Sequence, residues 1–173
     1  MNKLLIIILL LFPAILLKSQ VIIGGETLSS ASVSLEFGTE NRGLVLPWVT
    51  SAANVTEAVD GTLIYDTNDK KIKLLANGSW IDLSVDETGY VETLLQDTIE
   101  EKPEAGMLIG NNAESDTTSG VLVLTDKDKA MILPKVPSPH LNIINPAAGM
   151  IAYDTDSHQL AVFNGTVWSF WEP

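Results

Sequence analysis

The chain has 173 residues, 46% of them hydrophobic, enough for one domain or for two small ones. Its formal net charge of −12 argues against nucleic acid and anionic membrane surfaces, both of which repel such a chain. It contains no cysteine, so no disulfide staples the fold and no lipid is carried on an N-terminal cysteine.

Residues 1–19 read as a leader. Met1-Asn2-Lys3 is a short basic start, Leu4 to Leu17 is an apolar run broken only by Pro13, and Ser19 is a small residue before Gln20. That is the shape of a secretory signal peptide, and the run is short of the roughly 20 residues that a membrane span needs. Cleavage removes Lys3 and Lys18 but no acid, leaving 8 of the 10 basic residues against 22 acids and a net charge of −14. The expected location is extracellular or at the outer cell surface, with the periplasm as the alternative, and no transmembrane span remains.

The first predicted element after the leader is Val21-Ile22-Ile23-Gly24, then a polar stretch and the apolar strand Val33 to Phe37. A charged turn, Gly38 to Arg42, leads to Leu44-Val45-Leu46-Pro47, where the proline's missing N–H ends the strand. Thr50 to Val59 is a connection with room for one helical turn. Thr62–Asp66 and Ile72–Leu75 are β-type runs joined by a polar turn that the Asp66 side chain nucleates by accepting a backbone N–H two residues on. Asn77-Gly78 then predicts a type I′ hairpin with both residues at positive φ, and Asn164-Gly165 predicts the same between Leu160–Phe163 and Thr166–Phe170.

Ser84-Val85-Asp86-Glu87 has capping-box spacing, and Val91, Leu94, Leu95 and Ile99 fall at helical intervals, so Thr88 to Glu101 is predicted as an amphipathic helix or helical linker. The order then repeats. Met107-Leu108-Ile109-Gly110 matches Val21 to Gly24, Val121 to Leu124 matches the second strand, and Met131-Ile132-Leu133-Pro134 matches Leu44 to Pro47. Ser138 to Asn145 is a further connection. Gly61, Tyr65, Asp66, Thr67, Asn77, Gly78 and Trp80 recur as Gly149, Tyr153, Asp154, Thr155, Asn164, Gly165 and Trp168, at an offset of 88 that dips to 87 at the Asn-Gly pair. The chain is therefore an internal duplication. The predicted fold is mainly β: two tandem small β-meander repeats, residues 20–84 and 107–173, joined by a helical linker over residues 85–106. Each repeat is about 65 residues, a size at which one core is marginal, so stability is expected from packing the repeats together or onto another chain.

Candidate chemistry is sparse. Val21-Ile22-Ile23-Gly24-Gly25 resembles the start of a trypsin-like protease, but His140 and His158 both lie near the end and no activated serine loop is present. Asp66-Thr67 and Asp154-Thr155 invite comparison with the paired carboxylates of an aspartic protease, yet Asn68 and Asp156 stand where that family needs glycine, the lobes are too short, and a turn-nucleating role explains the recurrence. Asp66/Asp69, Asp126/Asp128 and Asp154/Asp156 lack the full ligand set of a calcium loop, and His158 has no partner ligand for zinc. No metal or cofactor is expected. Trp80, Trp168, Tyr65 and Tyr153 recur and read as core, whereas Trp48 and Trp171 do not recur and are the candidates for an exposed contact, including an aromatic platform for sugar. Asn54, Asn77 and Asn164 head glycosylation sequons by form.

The order of Ile-Gly, polar stretch, apolar strand, charged turn, Gly-Leu-x-Leu-Pro, Gly-x-Leu-Ile-Tyr-Asp-Thr and Asn-Gly-x-Trp resembles a repeat of secreted Bacteroidetes proteins and of tail-fibre-like proteins of their phages. The resemblance covers Val21–Trp80 and Met107–Trp168 and implies no catalytic residues. Relatives commonly place a basic residue after Leu-Pro; Lys135 fits and Trp48 departs, which makes Lys135 a third candidate binding residue. Many relatives end in a sorting domain or a fibre-trimerising chaperone, neither of which is expected after Trp171. Asp97-Thr98-Ile99 and Asp116-Thr117-Thr118 look like the phylum's O-glycosylation acceptors, at Thr98 and Thr117.

The expected function is thus an exported, non-enzymatic structural or adhesive surface module. Its partner is another protein or copies of itself, a trimer included. The alternatives are a carbohydrate-binding module using Trp48 or Trp171, and a glycan-active enzyme using Asp66 and Asp154.

Overall fold

A computed structural model describes residues 20–94, 98–100, 102 and 105–172 of the chain. The leader reading of residues 1–19 lies outside them. The described residues are mainly β, with fourteen short strands and little helix. Strands β1 (Val21–Ile23), β2 (Val33–Phe37), β3 (Leu44–Val45), β4 (Trp48–Val49), β5 (Leu63–Asp66), β6 (Lys71–Ala76) and β7 (Ser79–Asp82) make up the first half. The second half runs β8 (Met107–Ile109), β9 (Leu122–Leu124), β10 (Ala130–Ile132), β11 (Lys135–Val136), a four-residue helix α1 (Pro139–Asn142), β12 (Met150–Asp154), β13 (Gln159–Phe163) and β14 (Trp168–Trp171).

Within each half the order of pairing is the same. β4 lies parallel to β5, followed by antiparallel β6 and β7; β11 lies parallel to β12, followed by antiparallel β13 and β14. β1·β2 and β8·β9 are both parallel, closed by matching bonds from Gly38 N–H to the Ile23 carbonyl and from Thr125 N–H to the Ile109 carbonyl. A 3-10 turn at Ala52–Asn54 and α1 occupy equivalent connections, each after a serine at the N-cap.

Strands also cross between the halves, giving β-solenoid-like stacking. β2 of the first half pairs in parallel with β10 of the second, and β3 pairs antiparallel with β12. The core follows this exchange. Leu46, Tyr65, Ile72 and Leu83 from one half pack with Ala148, Ile151 and Val162 from the other, while Val136, Ile143, Met150, Ala152 and Phe163 form a smaller cluster. Each large apolar side chain so buried contributes about 1.5–3 kcal/mol, which a lone meander could not collect.

Two local expectations fail, for identifiable reasons. The described part of the linker holds no helix. Its polar groups are drawn into a strap across the second half: the Asn164 side-chain amide donates to the Asp86 carbonyl (3.0 Å) and carboxylate (3.2 Å), and the Thr166 hydroxyl donates to the Thr88 carbonyl (3.0 Å). Val91 packs on the shared core. These contacts tie the start of the segment to the second half. Leu95, which carried part of the helical spacing, lies outside the described residues.

The second Asn-Gly pair also differs from the first. Asn77 and Gly78 both have positive φ (51° and 69°), as a type I′ turn needs, but at the second pair only Gly165 does (102°). The copy has one more residue between Asn-Gly and the tryptophan, so a two-residue turn does not fit. Asn164 instead accepts the N–H groups of Thr166 (2.9 Å) and Val167 (2.7 Å) on its side-chain oxygen. The offset of 87 at this pair was the sequence's trace of that extra residue.

Candidate functional site

The two recurring aspartates are turn centres. Asp66 accepts the N–H groups of Asn68 and Asp69 on Oδ1 (both 3.1 Å) and that of Ala52 on Oδ2 (2.8 Å). Asp154 accepts Asp156 (2.9 Å), Ser157 (3.3 Å) and Ser138 (3.1 Å), all on Oδ1. Its Oδ2 is buried with no partner among the described residues. The reason is in the sequence: Pro139 stands where Ala52 stands in the first half and has no N–H to give. Burial pushes the Asp154 carboxyl up, but the three backbone donors outweigh it and hold it below the usual carboxylate range. Each carboxylate is thus held by its own turn. The turns close on Lys70 and His158, both left-handed (φ 59° and 58°) at equivalent positions.

Beside Asp66 lies a charged cluster that sequence reading missed. Buried Lys73 pairs with Asp69, with Asp82 (3.4 Å) and more distantly with Asp66 (3.9 Å), and Lys71 bridges Asp82 and Glu87 (both 3.1 Å). Burial pulls the Lys73 ammonium down, yet the surrounding acids raise it above its ordinary value. Opposing Lys73 and Asp82 through the register of β6 and β7 would have revealed the pair. Among the described residues no three His, Cys, Asp or Glu side chains are grouped to hold a metal ion.

The candidate contact residues fall in different settings. Trp48, expected to be exposed, is half-buried, and its indole N–H donates to the Ala148 carbonyl (2.7 Å) in the other half. Trp171 stays 39% exposed while its indole N–H donates to the Leu83 carbonyl. Lys135 is exposed and lies within electrostatic reach of Glu36. It borders an open apolar hollow of about 310 Å³ whose other walls are Met131, Ile132, Leu133 and Tyr153. Trp80 and Trp168 are half-buried, the latter against Phe163 (5.1 Å between rings). Thr98 and Thr117 are exposed. Asn54 and Asn77 are exposed, and Asn164 is fully buried. His140 stacks edge-on against Phe170.

Tyr65 marks the junction between the halves. It is fully buried, and its hydroxyl donates to the Asn164 carbonyl (2.7 Å). Leu46 N–H donates to the Gly149 carbonyl (3.0 Å), and the edge β3·β12 completes the seam. Short strands exchanged between halves, an open apolar hollow and carboxylates committed to turns define a β-built module organised for packing. Residues 109–172, most of the second half, match the family described as the phage tail like trimerisation region. That match supports the tail-fibre-like similarity seen in the sequence. No curated protein and no solved structure matches the chain. Among the described residues no helix is long and apolar enough to cross a membrane.

Proposed function

We propose that the chain is an exported, non-enzymatic structural or adhesive module of a surface or extracellular fibre, built from units 20–84 and 107–173 with 85–106 as the strap between them, and acting as a homotrimer. The match of residues 109–172 to a trimerisation region carries this reading. Two features of the fold support it. β8·β9 stands as a two-stranded parallel sheet, an arrangement too small to be stable alone. Its residues Met107 and Leu122 are 59% and 41% exposed, apolar surface that a partner chain would cover. Lys135 is the contact residue we favour, since it faces an open hollow, and Thr98 and Thr117 are the proposed glycosylation acceptors.

Fractionation of supernatant, periplasm and outer membrane, with native mass on the recovered protein, tests both parts. A mass of three chains outside the cytoplasm is expected; a monomer at every concentration would overturn the trimer. The glycan-binding alternative rests on the ring of Trp171, 39% exposed at the end of β14. Quenching of tryptophan fluorescence by a glycan panel would favour it, and a flat response would count against it.

A further inference from the structure

The duplication leaves one junction unmatched. In the first half, Leu44, Val45, Leu46, Trp48 and Tyr65 form the face on which the second half sits, through Ile151, Met150, Gly149, Ala148 and Asn164. The fit is close: a Cβ on Gly149 would lie 2.9 Å from the Tyr65 Cβ and 3.4 Å from the Trp48 indole nitrogen. Carried forward by 87 or 88 positions, those five residues become Met131, Ile132, Leu133, Lys135 and Tyr153, the walls of the open hollow. Carried back by 88, the seated edge Ala148-Gly149-Met150-Ile151 becomes Asp60-Gly61-Thr62-Leu63. Ala148 and Gly149 are buried, whereas Asp60 and Gly61 are exposed, and a Cβ on Gly61 would meet nothing within 4 Å. The second half therefore carries an empty receiving face, and the first half an unseated edge.

Building on the self-association reading above, we propose that a second copy of this chain seats its Asp60–Leu63 edge in the hollow walled by Met131, Ile132, Leu133, Lys135 and Tyr153. The junction between chains repeats the junction between halves. β10, paired on one side with β2, takes Thr62 and Leu63 of the second copy on its other side. Leu133 N–H donates to the Gly61 carbonyl as Leu46 does to that of Gly149, and the Tyr153 ring lies against Gly61 as Tyr65 lies against Gly149.

Where the two junctions differ in sequence, both sides change together. Gly43 faces Met150 so closely that a Cβ would lie 2.4 Å from the methionine Cγ; at the outer junction alanine (Ala130) faces the smaller Thr62. Trp48 faces Ala148 within the chain; Lys135 faces Asp60 between chains, an opposite-charge pair where the inner seam has none. That pair directs the edge of another chain to the outer site and steers the encounter. The contact is head-to-tail, and such contacts close into rings when the rotation allows, here with three chains.

The test uses the full chain, in which any introduced thiol is the only one. Lys135→Cys and Asp60→Cys chains, co-expressed and treated with a short bis-maleimide, should give a covalent heterodimer, while neither variant alone links to itself. Thr62→Cys with Lys135→Cys replaces this pair if loss of the Asp60–Gly78 bond (2.9 Å) unfolds the hairpin. Lys135→Glu should raise the concentration for half-assembly about tenfold, and adding Asp60→Lys should restore it. A trimer that forms with no such cross-link and no response to charge reversal overturns this interface while leaving self-association intact. A wild-type monomer at all concentrations overturns both.

Discussion

Tyr65 and Asn164 are 99 positions apart, yet the tyrosine hydroxyl donates to the asparagine's main-chain carbonyl across 2.7 Å in the buried seam between the halves. Burial, with Asp66 nearby, raises the phenol above its ordinary value, so it keeps its proton and remains a donor. Tyr65→Phe should therefore cost about 1–3 kcal/mol, the penalty for stranding a buried carbonyl, in urea denaturation. Tyr153→Phe, at the open hollow, should leave the stability of the single chain within about 0.5 kcal/mol.

The unequal partners of Asp66 and Asp154 predict unequal mutants. In Asp66→Asn the new amide would point its hydrogens at the Ala52 N–H and at Lys73, so a loss of about 2 kcal/mol is expected. In Asp154→Asn the amide can take the place of the unpartnered Oδ2, keeping all three bonds to Oδ1, and the loss should be under about 1 kcal/mol. Equal losses in chemical denaturation would contradict the role given to Pro139.

Acid should unfold the chain in a definable window. Ser29 holds Glu36 below the usual carboxylate range, Asn111 and then Lys129 and Ser34 do so for Asp126, and Lys71 and Lys73 overcome burial at Asp82. A carboxylate lowered in the folded state adds stability above its unfolded value, near 4, and loses it as pH falls through the folded value. Melting temperature should be flat from about pH 7 to 5 and drop below about 4, with a smaller drop in Asp82→Asn. Lys71 gains from Asp82 and Glu87 and Lys73 from Asp69 and Asp82, so their contribution should fade only as pH rises past about 10.

Lys70 and His158 hold left-handed backbone without being glycine. Glycine at either place removes a strain of about 1 kcal/mol, partly offset by the entropy of the freer unfolded chain. Lys70→Gly and His158→Gly should each raise the melting temperature slightly, whereas Lys70→Val should lower it. A fall in both glycine variants would show that these side chains do more than close a turn.

Much of this was legible without coordinates. Seven identities at an offset of 88, or 87 at the Asn-Gly pair, announced two copies of one strand order, and Asp66 and Asn77-Gly78 specified their turns, because such signals act within a few residues, where geometry is set by the backbone itself. The Thr88–Glu101 spacing misled because it described an isolated segment, while the carbonyls of Asp86 and Thr88 were claimed by side chains 78 residues away. Trp48 misled for the same reason, its indole being satisfied by Ala148.

The sequence by itself determined the duplication, the mainly β character, the acidic surface and the aspartate-centred turns. The tertiary structure alone decided that β2, besides pairing with β1, takes β10 of the other half, that β3 pairs with β12, that Asp154 lacks the donor Asp66 has, and that one receiving face is filled while its twin stands open. Local pattern sets how each strand forms; which edge it meets depends on contacts too distant in sequence to leave a periodic mark.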